Sequence, residues 1–357
     1  MAEKHYFACG NTAKGFQNLF ASNLQYLEKI FILKGGPGNG KSTFMKLIGA
    51  QFKERYMVEY IHCSSDSNSL DGVIIRELGV GIVDGTAPHV IEPNVPGCIE
   101  EYVNLGAAWD TKKLKENQAE IVRIQEQIAQ CYPRAYDAFA RGIKVHDEWE
   151  KVYIKNMDFD KANEITETVI SDVLKDSGFQ KESKIYHRFF GAATCSGTVD
   201  YVEGLIEHMK HRYFIKGRPG SGKSTLLKKL LVRAQMKGLD VEVYHCGFDP
   251  NSLDMILLPE LDTVIFDSTA PHEYFPSRDT DVLVDMYKEL ITEGTDEKNA
   301  EKLADITARY KACVQEGISY LKKAKELHDE LESYYIYATD FKVVELMREQ
   351  VLADILK

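Results

Sequence analysis

GGPGNGKST at residues 35–43 and GRPGSGKST at residues 217–225 decide how this chain folds. Each stretch has a glycine, four residues, a second glycine, then lysine and serine. An apolar run precedes each (30–33 and 213–215), and a helix-forming run follows it. Strand, loop and helix in that order define a phosphate cradle: the glycines let successive backbone N–H groups converge on one anion, and the helix adds its positive end. The residues expected to hold the nucleotide are therefore Gly35, Gly36, Pro37, Gly38, Asn39, Gly40, Lys41, Ser42 and Thr43 in one loop. In the other they are Gly217, Arg218, Pro219, Gly220, Ser221, Gly222, Lys223, Ser224 and Thr225. Lys41 and Lys223 would bridge terminal phosphates, and the Ser42 and Ser224 hydroxyls would face Mg²⁺.

The duplication extends far beyond the loops. His5 aligns with His187 and Lys41 with Lys223 at an offset of 182, and one extra residue then makes it 183. At that offset His62 and Cys63 match His245 and Cys246, the Asn68, Ser69, Leu70, Asp71 run matches Asn251 to Asp254, and DGTAPH (84–89) matches DSTAPH (267–272). Near the end His146, Asp147, Glu150, Tyr153, Ile154 and Phe159 answer His328, Asp329, Glu332, Tyr335, Ile336 and Phe341. The chain is thus read as two units, 1–175 and 187–357, with a polar linker at 176–186.

Within each unit the pattern predicts a strand at 6–9 (188–190), an amphipathic helix at 16–27 (199–209), the loop strand, and a helix at 42–55 (224–236). A strand at 58–63 (241–246), a short helix at 69–77 (252–258) and an apolar strand ending in aspartate at 80–84 (263–267) follow. Strands alternating with helices imply an α/β fold: two tandem P-loop NTPase domains, each a parallel sheet flanked by helices, with ligands at the carboxyl ends of the strands. Apolar residues at three-to-four spacing (Leu114, Ile121, Ile124, Ile128; Leu303, Ile306, Leu321, Leu327) predict long helical arms over about 100–175 and 280–357. Such arms serve packing, or a moving lid or docking surface for a protein partner.

Composition narrows the function. The 44% hydrophobic and 28% charged content suits a globular protein, and no long apolar stretch or signal peptide is present, so a cytoplasmic location without membrane contact is expected. Seven cysteines without a CxxC spacing point to reduced thiols. A net charge of −11 disfavours a broad grip on nucleic acid.

Asp84 and Asp267, ending apolar strands, stand where a Mg²⁺-holding acid belongs. The following residues are Gly85 and Ser268, where many ATP-hydrolysing proteins carry a water-activating glutamate. His89 and His272 are candidates to take or relay a proton, or else they brace the Pro-containing turn. Asp66 and Asp249 either accept a proton from a phosphate acceptor, as in nucleoside kinases, or cap the next element. One His and one Cys at His62 and Cys63 fall short of a zinc site. The clusters at His146 and His328 fit a solvated helix face or a contact between the units.

The two GKST loops, the SLD segment, D[GS]TAPH and the long helical tails together resemble a family of tandem P-loop NTPases from Gram-positive bacteria, often labelled ATPase or nucleotide kinase. The resemblance covers nearly the whole chain and implies ATP and Mg²⁺ binding in both units, through the loops with Asp84 and Asp267. No guanine-reading NKxD and no LSGGQ-like stretch occurs, and Arg76 is replaced by Pro259 in the second copy, so no arginine finger repeats. An ATP hydrolase with two sites coupled to arm movement is expected, with pseudo-symmetric pairing of the units. A small-molecule kinase and a non-hydrolysing nucleotide sensor are the alternatives.

Overall fold

A computed structural model of the chain describes residues 3–175 and 177–357. The first half begins with β1 (Glu3–Phe7), a hairpin of β2 (Cys9–Thr12) and β3 (Gly15–Asn18), and a one-turn helix α1 (Phe20–Asn23). The helix expected at 16–27 is therefore mostly hairpin: Thr12 pairs with Gly15 across a two-residue turn, and Gly15 takes φ +86°, which glycine adopts without strain. Next come β4 (Lys29–Lys34), α2 (Lys41–Phe52), β5 (Val58–His62), β6 (Leu70–Ile75), β7 (Val80–Asp84) and β8 (Glu100–Asn104). The arm consists of α3 (Thr111–Glu116), α4 (Gln118–Ile154) and α5 (Phe159–Leu174).

The second half repeats the order. Its elements are β9 (Ile185–Phe189), β10 (Gly191–Thr194), β11 (Gly197–Asp200), α6 (Val202–Ile206), β12 (His211–Lys216), α7 (Lys223–Met236), β13 (Val241–His245), β14 (Leu253–Leu258), β15 (Thr263–Asp267) and β16 (Val282–Asp285). Short helices α8 (Met286–Leu290) and α9 (Thr295–Lys298) lead to the second arm, α10 (Ala300–Ala338) and α11 (Phe341–Ile355).

One twelve-stranded mixed sheet runs through both halves in the order β16-β12-β15-β14-β13-β9-β1-β5-β6-β7-β4-β8. The all-parallel expectation is corrected at two kinds of place. β6 and β14 lie antiparallel to both neighbours, where short helices were expected. Only residues 63–69 join β5 to β6, too few for a crossover helix. Val73, Ile74 and Ile75, β-branched and fully buried, favour the strand. The halves then meet antiparallel at Phe7 and Phe189. The segments beginning at about 100 and 280, expected to be helical, first form the parallel edge strands β8 and β16.

At this seam Arg188 is completely buried, with its Nη1 2.6 Å from Glu242, its Nη2 3.1 Å from Glu59 and its Nε 3.0 Å from Asn23 Oδ1. Burial alone would raise both carboxyls, yet the Arg188 guanidinium keeps them below the usual carboxylate range. Arg76, read as a non-repeating arginine, also clamps Glu59 at 2.8 and 2.9 Å.

The arms cross. α4 and α10 run antiparallel, with Ile121 and Ile124 against Leu327 and Leu331 at one end and Val152 against Ile306 at the other. Thirty-seven residues of α4 span about 55 Å, enough to leave one half and arrive at the other. There α5 lays Val169, Ile170, Val173 and Leu174 on Leu226, Leu227 and Leu230 of α7. Reciprocally, α11 lays Val344 and Val351 on Phe44, Met45 and Ile48 of α2. Main-chain bonds from Asp158 N to Leu290 O (2.9 Å) and from Asp340 N to Ala108 O (2.8 Å) fix the two landings. Among the described residues, no helix is long and apolar enough to cross a membrane.

Candidate functional site

Each glycine loop lies between the strand next to a sheet edge and the helix that follows it, so its position is set by β4 and α2 or by β12 and α7. Gly38 and Gly40 take φ +67° and +83°, and Gly220 and Gly222 take +77° and +91°. These left-handed turns call for glycine, because a side chain at those positions would strain the main chain. Lys41 Nζ folds back on Gly36 O at 2.7 Å and stands 3.6 Å from Asp84 Oδ2. Lys223 Nζ repeats the arrangement, 3.1 Å from Arg218 O and 3.5 Å from Asp267 Oδ2. The parallel pairing of Leu33 with Asp84 and Ile215 with Asp267 puts each aspartate beside its loop.

The donor set suits a hard divalent cation. Asp84 Oδ1 accepts from Thr86 N (2.9 Å) and Thr86 Oγ1 (2.6 Å), which leaves Oδ2 turned to the loop. Ser42 Oγ accepts from Leu70 N at 3.0 Å, and Ser224 Oγ from Leu253 N at 2.9 Å, so each hydroxyl keeps a lone pair to offer. Inside the loops Asn39 Oδ1 and Ser221 Oγ are buried without a hydrogen-bond partner. Thr43 and Thr225 continue the first turns of α2 and α7.

Sequence reasoning aligned Asp71 with Asp254 but assigned them no role, and the structure brings both to the sites. Asp71 stands 3.4 Å from His89 Nε2, with both side chains buried. Burial disfavours the imidazolium, but the charges of Asp71 and Asp84 outweigh it and push His89 up to about 9. His272 bonds instead to Asp200 at 2.5 Å, because Asp200 stands where the first copy has Asn18. Asp254 therefore lacks an imidazole partner, and burial together with the charge of Asp267 pushes it up to about 7. The signal for this pair was its retention in both copies, one residue after the strand begins.

The His89 pairing has a measurable sign. Its folded value lies above the ordinary 6.5, so the pairing contributes stability fully below pH 6.5 and loses it as pH rises through about 9. The shift corresponds to about 3 kcal/mol. Urea unfolding should therefore show stability falling from pH 6.5 to 9.5 in the wild type, and a flatter profile in His89→Gln.

Asp66 and Asp249 close tight turns, accepting from Asn68 N and Asn251 N at 3.1 Å each. Each also meets a lysine from elsewhere, Lys325 with Asp66 and Lys14 with Asp249, at 3.5 Å. His62 bonds to His5 at 2.8 Å and Cys63 is half-buried, and among the described residues neither belongs to a cluster of three metal-ligating side chains.

What covers each loop comes from the other half. A Cβ on Gly36 would fall 2.9 Å from the Tyr335 ring, and one on Gly38 2.9 Å from both Glu332 O and Ile336 Cγ1. One on Gly220 would fall 3.0 Å from Glu150 O and from Ile154 Cγ1. Glycine is what allows helix and loop to touch there. Of the arm residues that both copies share, Glu150, Ile154, Glu332, Tyr335 and Ile336 thus meet the opposite loop, as the contact reading expects, while Asp147 and Asp329 stay exposed. On that face His146, Asp147 and Glu150 hold their donor atoms within 4.8 Å of one another, as do His328, Asp329 and Glu332.

No protein-family model, curated protein or solved structure matches the chain. Its chemistry has to follow from its own residues.

Proposed function

We propose that the chain is a Mg²⁺-dependent ATP hydrolase with two nucleotide sites, each half acting as a P-loop NTPase unit like those of the tandem family it resembles. One observation carries this reading: in both halves the loop lysine and the aspartate ending the adjacent parallel strand meet at 3.6 and 3.5 Å beside the N-terminus of a long helix. The loop N–H groups and helix end would hold the phosphates, and the lysine would bridge them. Ser42 with Asp84, and Ser224 with Asp267, would hold Mg²⁺, which supplies positive charge where the transferred phosphoryl group develops negative charge.

Because each loop touches the opposite arm, a nucleotide entering the cradle has to be felt by that arm. Nucleotide state would thereby be coupled to the fit of the two halves. Seven free cysteines are in keeping with a reducing, cytoplasmic setting. The acceptor-side role of Asp66 and Asp249 in a kinase gains no support, since both are engaged in turns and ion pairs.

Purified protein with Mg²⁺ should release phosphate from ATP. Lys41→Ala and Lys223→Ala should each remove roughly half of that rate if the sites turn over independently, and the double variant should fall to the buffer rate. Tight ATP binding with no release above buffer would contradict hydrolysis, and ADP formation only with an added acceptor would mark a kinase.

A further inference from the structure

We propose that the arms supply the water-activating base in trans: Glu332 serves the loop at 35–42, and Glu150 serves the loop at 217–224. The inference rests on the hydrolase reading and names the group that reading leaves open.

The usual position for this base is closed. A Cβ on Gly85 would fall 2.3 Å from Ile32 Cγ2, so no side chain fits after Asp84. Ser268, its counterpart, is completely buried with its hydroxyl bonded to Tyr274 O at 2.5 Å. Of the neighbouring candidates on each loop's own half, His89 is engaged by Asp71, His272 by Asp200, and Asp66 and Asp249 by turns and lysines, while burial and the adjacent Asp267 favour the protonated form of Asp254. A carboxylate from elsewhere has to enter.

Glu332 and Glu150 arrive at the right place twice over. Glu332 Cβ lies 3.3 Å from the position a Cβ on Gly38 would take, and Glu150 Cβ lies 3.1 Å from that on Gly220. Both glutamates stay partly open to solvent, and each faces the histidine one turn earlier on its own helix, 3.6 Å from His328 and 3.7 Å from His146. Burial lowers both histidines, and the opposite lysine acts in the same sense, Lys223 on His146 and, more weakly, Lys41 on His328. Burial and Asp147 raise Glu150, as suits a proton acceptor. The retention of the His-Asp-x-x-Glu pattern in both copies follows from two equivalent tasks.

In the proposed step the oxygen of a water molecule forms a bond to the γ-phosphorus of ATP while one of its protons passes to the glutamate carboxylate. The bond from γ-phosphorus to the β,γ-bridging oxygen breaks, and ADP leaves with that electron pair. The glutamate then returns its proton to solvent.

The test uses the full chain and pairs substitutions across the arms. Glu150→Gln with Glu332→Gln should keep MgATP binding, read by titration calorimetry, and lose phosphate release by about 10²–10⁴-fold. Lys41→Ala with Glu332→Gln disables one composite site and should keep about the rate of Lys41→Ala alone, whereas Lys41→Ala with Glu150→Gln disables both and should fall to the buffer rate. A purely packing role for the glutamates would weaken MgATP binding at the same loop together with release, instead of sparing it. The inference is overturned if the double glutamine variant releases phosphate at the wild-type rate, or if the two mixed variants lose activity equally while Lys41→Ala remains active. A wild type that binds MgATP and releases no phosphate instead defeats the hydrolase reading on which it rests.

Discussion

Arg188→Met is expected to destabilise the protein by about 3–5 kcal/mol, the typical cost of leaving a buried carboxylate without its partner. The guanidinium is completely buried and bonds to Glu59, Glu242, Asn23 and the Tyr244 hydroxyl. Arg76 and Lys4 still reach the two glutamates after the change, at 2.8 and 2.6 Å, but each is partly exposed and touches only one of them. Arg188→Lys should restore little, because an ammonium cannot reproduce the planar fork that serves several acceptors at once. Urea unfolding at pH 7 reads the effect. A loss below about 1 kcal/mol, the range of an exposed ion pair, would show that the seam is held by its apolar neighbours instead.

The location of this network also tells what a sequence can disclose. Arg188 aligns with Tyr6, so self-comparison recorded a mismatch there and no pairing. The tyrosine and the arginine meet across the seam, with the guanidinium 4.0 Å from the Tyr6 ring, a contact that depends on how the halves join. By contrast, the loops, α2 and α7, and the strands ending at Asp84 and Asp267 were legible because local chemistry specifies them: glycines at positive φ, a β-rich run, a helix-forming run. β6 was not legible. Asp66 with Asn68 and Ser69 caps a turn into a strand with the same residues that would cap a helix.

The arms show a different limit. The apolar stripe of 121–128 correctly announces a long helix, with Leu114 falling in the short α3 before it, but periodicity does not say which partner buries it. Only the tertiary structure shows α4 pairing with α10 and delivering α5 to the other half. Once that crossing is known, the shared His146 and His328 clusters, with Tyr335, Ile336 and Ile154, acquire a reason to persist in both copies. Glu332, Tyr335 and Ile336 wall one loop, and Glu150 with Ile154 walls the other. The two sites are nonetheless unequal. Where Gly36 admits the Tyr335 ring, its counterpart Arg218 is bound to Asp296 at 2.7 Å, and His89 and His272 use different carboxylates. Two affinities for nucleotide are therefore expected.

Lys41→Ala combined with Lys223→Ala is expected to abolish nucleotide binding. Each lysine supplies the charge that would face the terminal phosphates, and each already stands beside the acid that would hold the metal. Removing it leaves Asp84 or Asp267 as uncompensated negative charge against an anionic ligand, so attraction is replaced by repulsion. Calorimetric titration of the wild type with ATP and Mg²⁺ should give two bound nucleotides per chain, one in either single variant and none in the double. Undiminished binding by the double variant, or no binding by the wild type, would contradict the assignment of the two glycine loops as nucleotide sites.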